Sequence, residues 1–310
     1  MMWTSATSWL GRVVMVTGAS GFLGGAVARL LLELGAEVHG TGCCRLPPEG
    51  VIAHRMRLPD DVDAVIRAVR PAVIFHLACP VDLRRDHTLY ERLREGVLDG
   101  SAAVAAAALG VGARLVQVGT CEEYGASEAP FSESMPAAPV SPYSALKAAA
   151  TDWVLMLHRT SGLEAGVVRP FRGYGPGDTA SVIASAAAAG LRQAPFEMTD
   201  GANIREWNHV DALAEGIVAA GVHPGAVGRV VNIGGGPRAS VRKVVERIYA
   251  LAGADPSLVR VGALPRRAGE VDRFWGDHRL AASLWGAIEQ PSLDEGLRDA
   301  LDWLASEGEL

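Results

Sequence analysis

Residues 12–25 read RVVMVTGASGFLGG, and this stretch constrains the chain more than any other. A short apolar run ends at Thr17. Gly18, Gly21 and Gly24 follow at three-residue spacing, and an apolar pattern of helical period begins at Ala26. That order predicts a strand, a tight turn and a helix. The unpaired N–H groups and the dipole at such a helix start face an anion. Gly18 permits the turn, Gly21 lets a pyrophosphate approach the backbone, and Gly24 lets the helix lie close on the strand. The context, not the glycine triplet alone, makes this a dinucleotide-binding turn.

Further strand-like runs cover residues 37–39, 73–77, 114–118, 165–169 and 229–233. Helical patterns at 26–34, 62–69, 89–109 and 143–160 alternate with those of the first half. Alternation of this kind predicts an α/β fold, a Rossmann-type doubly wound parallel sheet with helices on both faces. After Pro170 the pattern changes to a Gly- and Pro-rich loop, an Ala-rich helix at 179–189 and a polar turn at Asp200-Gly201. The expected division is a dinucleotide-binding domain of residues 1–170 and 208–235. A smaller C-terminal substrate lobe takes residues 171–207 and 236–310, with helices near 241–252 and 293–304.

The net charge of −6 is spread along the chain, and no basic stripe carries interleaved aromatics, so nucleic acid is not an expected partner. Any anionic substrate then has to be met by a few local arginines. Cys43, Cys44, Cys79 and Cys121 form no CxxC pair or zinc spacing and read as reduced thiols of a cytoplasmic protein. The first ten residues lack a basic region and a long apolar core, and no apolar stretch is long enough for a membrane span. His54, His87, His158, His223 and His278 are scattered, without a ligand cluster, so no metal is expected. The tryptophans at 275 and 285 read as core or interface residues.

A second constellation is Pro142-Tyr143-Ser144-Ala145-Leu146-Lys147. Tyr143 and Lys147 are four apart, on one face of a helix. An ammonium near a phenol favours the phenolate, which would suit Tyr143 to proton transfer near neutral pH.

With these motifs the chain resembles an extended short-chain dehydrogenase/reductase of the nucleotide-sugar epimerase/dehydratase/ketoreductase group. The resemblance covers nearly the whole length. It rests on Thr17-Gly18-x-x-Gly21-Phe22-Leu23-Gly24, His76-Leu77-Ala78, the segment Gly119-Thr120-Cys121-Glu122-Glu123-Tyr124-Gly125, and the Tyr143/Lys147 pair. It continues through Arg169-Pro170-Phe171, Tyr174-Gly175-Pro176-Gly177, Arg205-Glu206-Trp207-Asn208-His209-Val210-Asp211 and Arg267-Ala268-Gly269-Glu270.

The resemblance implies roles. Tyr143 is the expected acid/base at a sugar hydroxyl or ketone. Lys147 holds the nicotinamide ribose and tunes Tyr143, and Thr120 hydrogen-bonds the reacting oxygen. Cofactor contacts are expected from Gly18, Ser20, Gly21, Phe22, Leu23, Gly24, Arg45, Leu58, Leu77, Ala78, Tyr143, Lys147, Pro170 and Arg172. Arg205 and Arg267 are candidates for a substrate diphosphate, for which a guanidinium fork is suited. Arg172 and Thr120 join them at the substrate. Glu122 stands where 4,6-dehydratases carry an acid that assists elimination of water across C5–C6, while Glu123 beside it reads as solvated. Relatives pair helices equivalent to 102–109 and 143–160 in a dimer, so a homodimer is expected.

Departures from the family pattern bear on the cofactor. NAD-preferring relatives place an Asp after the second strand for the adenosine ribose. Here Thr41-Gly42-Cys43-Cys44-Arg45 has no acid, and Arg45 is close enough to meet a 2′-phosphate, which favours NADP over NAD. Arg57-Leu58 replaces the Asp-Leu pair at adenine, with Asp60 or Asp61 as substitutes, and a helix asparagine is missing around Val97. NADPH as a consumed reductant favours reduction of a nucleotide-linked 4-keto-6-deoxysugar. The alternatives are an NAD-dependent nucleotide-sugar 4-epimerase, then a 4,6-dehydratase, then a reductase of another ketone. A non-catalytic cofactor-sensing protein on the same fold is the reading from a different class.

Overall fold

The computed structural model describes residues 6–42, 46–266 and 271–306. Its first six strands are β1 (Val13–Thr17), β2 (Glu37–Thr41), β3 (Ile52–His54), β4 (Val73–His76), β5 (Arg114–Val118) and β6 (Ala165–Pro170). With a last strand, Val230–Ile233, they form one seven-stranded sheet ordered Val230–Ile233, β6, β5, β4, β1, β2, β3. Every pairing is parallel. β1 and β4 are near-continuous apolar runs because both faces of such a sheet are covered. β3 escapes the sequence reading because three residues are too few to show a period.

Alternation sorts the strand residues between two cores. Val14, Val16, Phe75, Val116 and Val231 meet the helices Phe22–Glu33 and Val210–Ala220 on one face. Met15, Ile74, Leu115 and Val167 meet Val62–Val69, Gly100–Val111 and Pro142–Ser161 on the other. Small residues let these helices lie close: Ala105, Ala107 and Ala108 are buried. Leu109 and Trp153, on the outer faces of Gly100–Val111 and Pro142–Ser161, are exposed. The helical pattern at 89–109 resolves into Tyr90–Arg94, a π-helical turn at Glu95–Asp99, and Gly100–Val111. Such turns are rare and are frequent beside functional sites; here Val97 packs with Tyr143.

After β6 the chain enters a smaller lobe. Gly173–Tyr174 pairs with Asn208–His209, and Ile204–Glu206 lies between Arg238–Ser240 and Arg273–Phe274. Helices Val182–Leu191, Val241–Leu251 and Leu293–Ser306 enclose the lobe core around Ile183, Val244, Ile248, Tyr249 and Leu297. The expected division changes at one point. Helix Arg279–Trp285 falls in the span assigned to the lobe, yet its Ala281 and Trp285 belong to the core under the main sheet. No helix among the described residues is long and apolar enough to cross a membrane.

Candidate active site

The strand order reverses at β1, which lies between β2 and β4. In open parallel sheets ligands bind at that point, beyond the carboxyl ends of the strands. The glycine turn is placed there. Gly18 has φ +73°, and a Cβ on it would lie 2.9 Å from the Ala78 nitrogen. A Cβ on Gly24 would lie 2.1 Å from the Gly18 carbonyl oxygen. Turn, helix and β4 exit are therefore in backbone contact. Helix Phe22–Glu33 begins at Gly21 with no side chain capping its first amides, which leaves an open anion site. Phe22 abuts Gly173 and Gly177 of the crossing into the lobe. These features fit a dinucleotide pyrophosphate.

Thr17 ties the two strand ends together. Its Oγ1 accepts from the Leu77 and Ala78 N–H groups at 3.2 and 3.1 Å and lies 2.7 Å from His76 Nδ1. His76 Nε2 lies 3.2 Å from Ser101 Oγ, whose own proton goes to the Val97 carbonyl at 2.6 Å. The donor count thus makes His76 neutral, protonated on Nε2 and accepting on Nδ1. Burial, with Lys147 nearby, pushes its pKa down to about 3. The unfolded chain binds this proton near pH 6.5 and the folded chain near 3. Stability contributed by neutral His76 is therefore full above 6.5 and is lost as the pH falls through that window. One proton corresponds to about 1.4 kcal/mol per pH unit. In urea unfolding from pH 7 to 4, His76→Gln is expected to show a shallower loss of stability than wild type by about that slope. Parallel curves would remove this account of His76.

Thr120 follows β5 and caps the short turn Cys121–Tyr124, its Oγ1 accepting from the Glu122 N–H at 3.2 Å. Tyr143 is the second residue of Pro142–Ser161, a helix started by Ser141 in a reciprocal cap with Ser144. Lys147, one turn on, donates from Nζ to the Val118 carbonyl at 2.8 Å. Tyr143 is 6% exposed. Burial first, and the Cys79 thiol second, push its phenol well above the ordinary value. The expected lowering by Lys147 is thus corrected: in the folded chain burial prevails, and the ammonium is directed to a backbone oxygen.

Between the main domain and the lobe run two hollows of about 710 and 640 Å³. Leu83, Arg84, Arg172 and Arg205 line both. Phe196, Met198 and Asn203 line the first, and Glu122, Ser141 and Phe274 the second. Arg205 is 8% exposed, with its guanidinium 5.9 Å from the Phe274 ring centre and donating to the Ile204 carbonyl at 3.0 Å. Arg84 is fixed by Asp82, 2.8 Å away. Pro170 ends β6 just before Arg172. Leu58 lies against Gly100 beyond the β3 end. Arg45 and Arg267 lie outside the described residues.

Glu123 is corrected from solvated to fully buried, with its carboxylate 2.7 Å from Arg169. Ser141 and the loop at 81–85 were missed by the sequence reading; the loop's signal is that it follows His76-Leu77-Ala78 at the switch point. No group of His, Cys, Asp and Glu among the described residues could hold a metal ion.

Comparison with known proteins agrees with this geometry. The model of the NAD dependent epimerase/dehydratase family matches residues 14–234. A dTDP-glucose 4,6-dehydratase of Streptomyces griseus is 32% identical, over 94% of this chain and 93% of that protein. A UDP-glucose 4-epimerase of Mycolicibacterium smegmatis is 28% identical, over 95% and 99%. Among solved structures, DesIV, a dTDP-glucose 4,6-dehydratase of Streptomyces venezuelae with NAD and TYD bound, superposes with a TM-score of 0.84. It is 27% identical and covers 94% of this chain and 97% of that one.

Proposed function

The chain belongs to the NAD dependent epimerase/dehydratase family, and we propose that it reduces the 4-keto group of a nucleoside-diphosphate 6-deoxyhexose with NADPH. The observation that carries this reading is the placement of a buried Tyr143 one turn before Lys147, whose Nζ is tied to the strand end that leads to Thr120. A phenol there holds its proton at rest and can give it to a ketone oxygen. The glycine turn and the open start of helix Phe22–Glu33 are the parts that would hold the dinucleotide. When bound, it supplies the hydride for the ketone carbon. Tyr143 gives its proton to the ketone oxygen as that oxygen becomes a hydroxyl, and Thr120 Oγ holds the same oxygen by a hydrogen bond. Lys147, tethered to the Val118 carbonyl, sets its Nζ on the same face of the helix as Tyr143. Arg172 and Arg205 suit the diphosphate oxygens.

Elimination of water across C5–C6 asks for a base and an acid together. Glu122 is the one carboxylate among the described residues lining the second hollow. Glu123 is committed to Arg169 and residue 121 is a buried cysteine, so no second carboxylic acid stands free beside Glu122. This favours ketoreduction over dehydration. The preference for NADP rests on Gly42 and Arg45 in the sequence. Thr41, just before them, accepts from the Gly18 N–H at 3.4 Å, so this strand end adjoins the turn. A 4-epimerase retaining NAD is the second reading, favoured by the near-complete coverage of the Mycolicibacterium smegmatis epimerase.

Mass spectrometry of nucleotide released from denatured protein, with NADPH and NADH titrations of stripped protein, tests the choice. An exchangeable site preferring NADPH, and oxidation of NADPH by a nucleotide-linked 4-keto-6-deoxysugar, are expected. Stoichiometric retained NAD, with interconversion of 4-epimers, would replace the reductase by the epimerase.

A further inference from the structure

The carboxylate of Glu123 is fully buried, one residue beyond Glu122. A buried carboxylate persists only where hydrogen bonds and an opposite charge replace water. Oε1 accepts the Thr120 backbone N–H at 2.9 Å. Oε2 accepts from Thr151 Oγ1 at 3.0 Å, and from Arg169 Nε and Nη2 at 3.0 and 2.7 Å. Arg169 in turn lies over the Tyr124 ring, 4.6 Å from its centre. One side chain thus joins the exit of β5 that carries Thr120, the helix that carries Tyr143 and Lys147, and β6. Thr151 stands one turn beyond Lys147 and two beyond Tyr143 on that helix.

Two neighbours show that the arrangement is built around this carboxylate. A Cβ on Gly119 would lie 2.5 Å from Glu123 Oε1, so the carboxylate fills the space beside the backbone leading to Thr120. Lys147 holds the same segment from its other end, through the Val118 carbonyl. Between the two ties, residues 118–120 are fixed against the helix bearing Tyr143.

We infer that Glu123, with Arg169 as its counter-charge, is a positioning residue: it sets Thr120 against Tyr143 through the Thr120 amide and Thr151. It touches neither the cleft nor the reacting atoms. The inference rests on the ketoreductase reading for the roles of Thr120 and Tyr143.

The test uses E123L/R169M and E123Q in the full chain. Replacing a buried ion pair by apolar side chains of similar volume is often neutral for stability, so the double variant separates folding from positioning. It leaves the buried Thr120 N–H without its acceptor, so it is expected to melt below wild type while still folding, and to bind NADPH within about threefold of wild type. Its kcat per folded site should fall on the order of 100-fold at a KM near wild type, as for a misplacement of about 1 Å. Wild-type kcat in the folded double variant would overturn the inference, because it would leave Glu123 a purely structural role. If the double variant does not fold, E123Q is read by the same split between kcat and KM. If the wild type reduces no nucleotide-linked ketosugar, the functional reading fails and the positioning claim is read from amide hydrogen exchange instead. Faster exchange confined to Thr120 in the variant supports it. Unchanged exchange at Thr120, or loss of protection along all of β5, overturns it.

Discussion

Tyr143→Phe is expected to lower kcat on the order of 1,000-fold, within the range a positioned general acid contributes, while leaving NADPH affinity and thermal stability near wild type. The ring of Tyr143 packs with Leu89, Leu93, Val97 and Leu146, and phenylalanine keeps that packing. Only the hydroxyl is lost, and with it the proton that completes reduction. Steady-state turnover with NADPH and a nucleotide-linked 4-keto-6-deoxysugar, with a fluorescence titration of NADPH, reads both quantities. A variant within tenfold of wild-type kcat would mean that another group supplies the proton, and the assignment of Tyr143 would be withdrawn. Wild-type protein that binds NADPH yet turns over no ketone would instead favour a cofactor sensor.

What the sequence made legible is local. The strand–turn–helix at 12–25, the i,i+4 pair Tyr143/Lys147 and the alternation of strands and helices are all written in spacing, which survives without knowledge of what lies opposite. What it hid depends on partners distant in the chain. Glu123 reads as one of two adjacent acids and therefore as solvated. Its partner Arg169 is 46 residues away on another strand, and only the assembled sheet brings them together. The direction of the Tyr143 shift was hidden for the same reason. A lysine four residues away is visible, but desolvation by Leu89, Leu93 and Val97 is not. Helix Arg279–Trp285 has a pattern that fits either lobe, and only its packing with Val231 and Ile233 in the main-sheet core decides where Trp285 is buried.

Gly24→Ala should have the largest effect of any single methyl group added to the glycine turn, and Gly25→Ala is its control. A Cβ on Gly24 would meet the Gly18 oxygen at 2.1 Å and the Gly18 carbon at 2.8 Å. Both are backbone atoms and cannot rotate aside, so the helix start or the turn must move. Overpacking of this kind costs about 1–3 kcal/mol. The movement also separates the first helix amides from a bound pyrophosphate. Losing one hydrogen bond to a charged group, about 1.5–3 kcal/mol, weakens NADPH binding by roughly 10- to 100-fold. At Gly25 the nearest atom is the Ala19 oxygen at 3.4 Å, an ordinary contact, and the position lies inside the helix. There alanine replaces a poor helix former by the best one, a gain of up to about 1 kcal/mol. Adjacent substitutions of the same size are thus expected to move stability in opposite directions, with only the first impairing NADPH binding. Urea unfolding and NADPH fluorescence on the two variants decide it. Equal effects would show that the contact between helix and turn does not set the cofactor cradle.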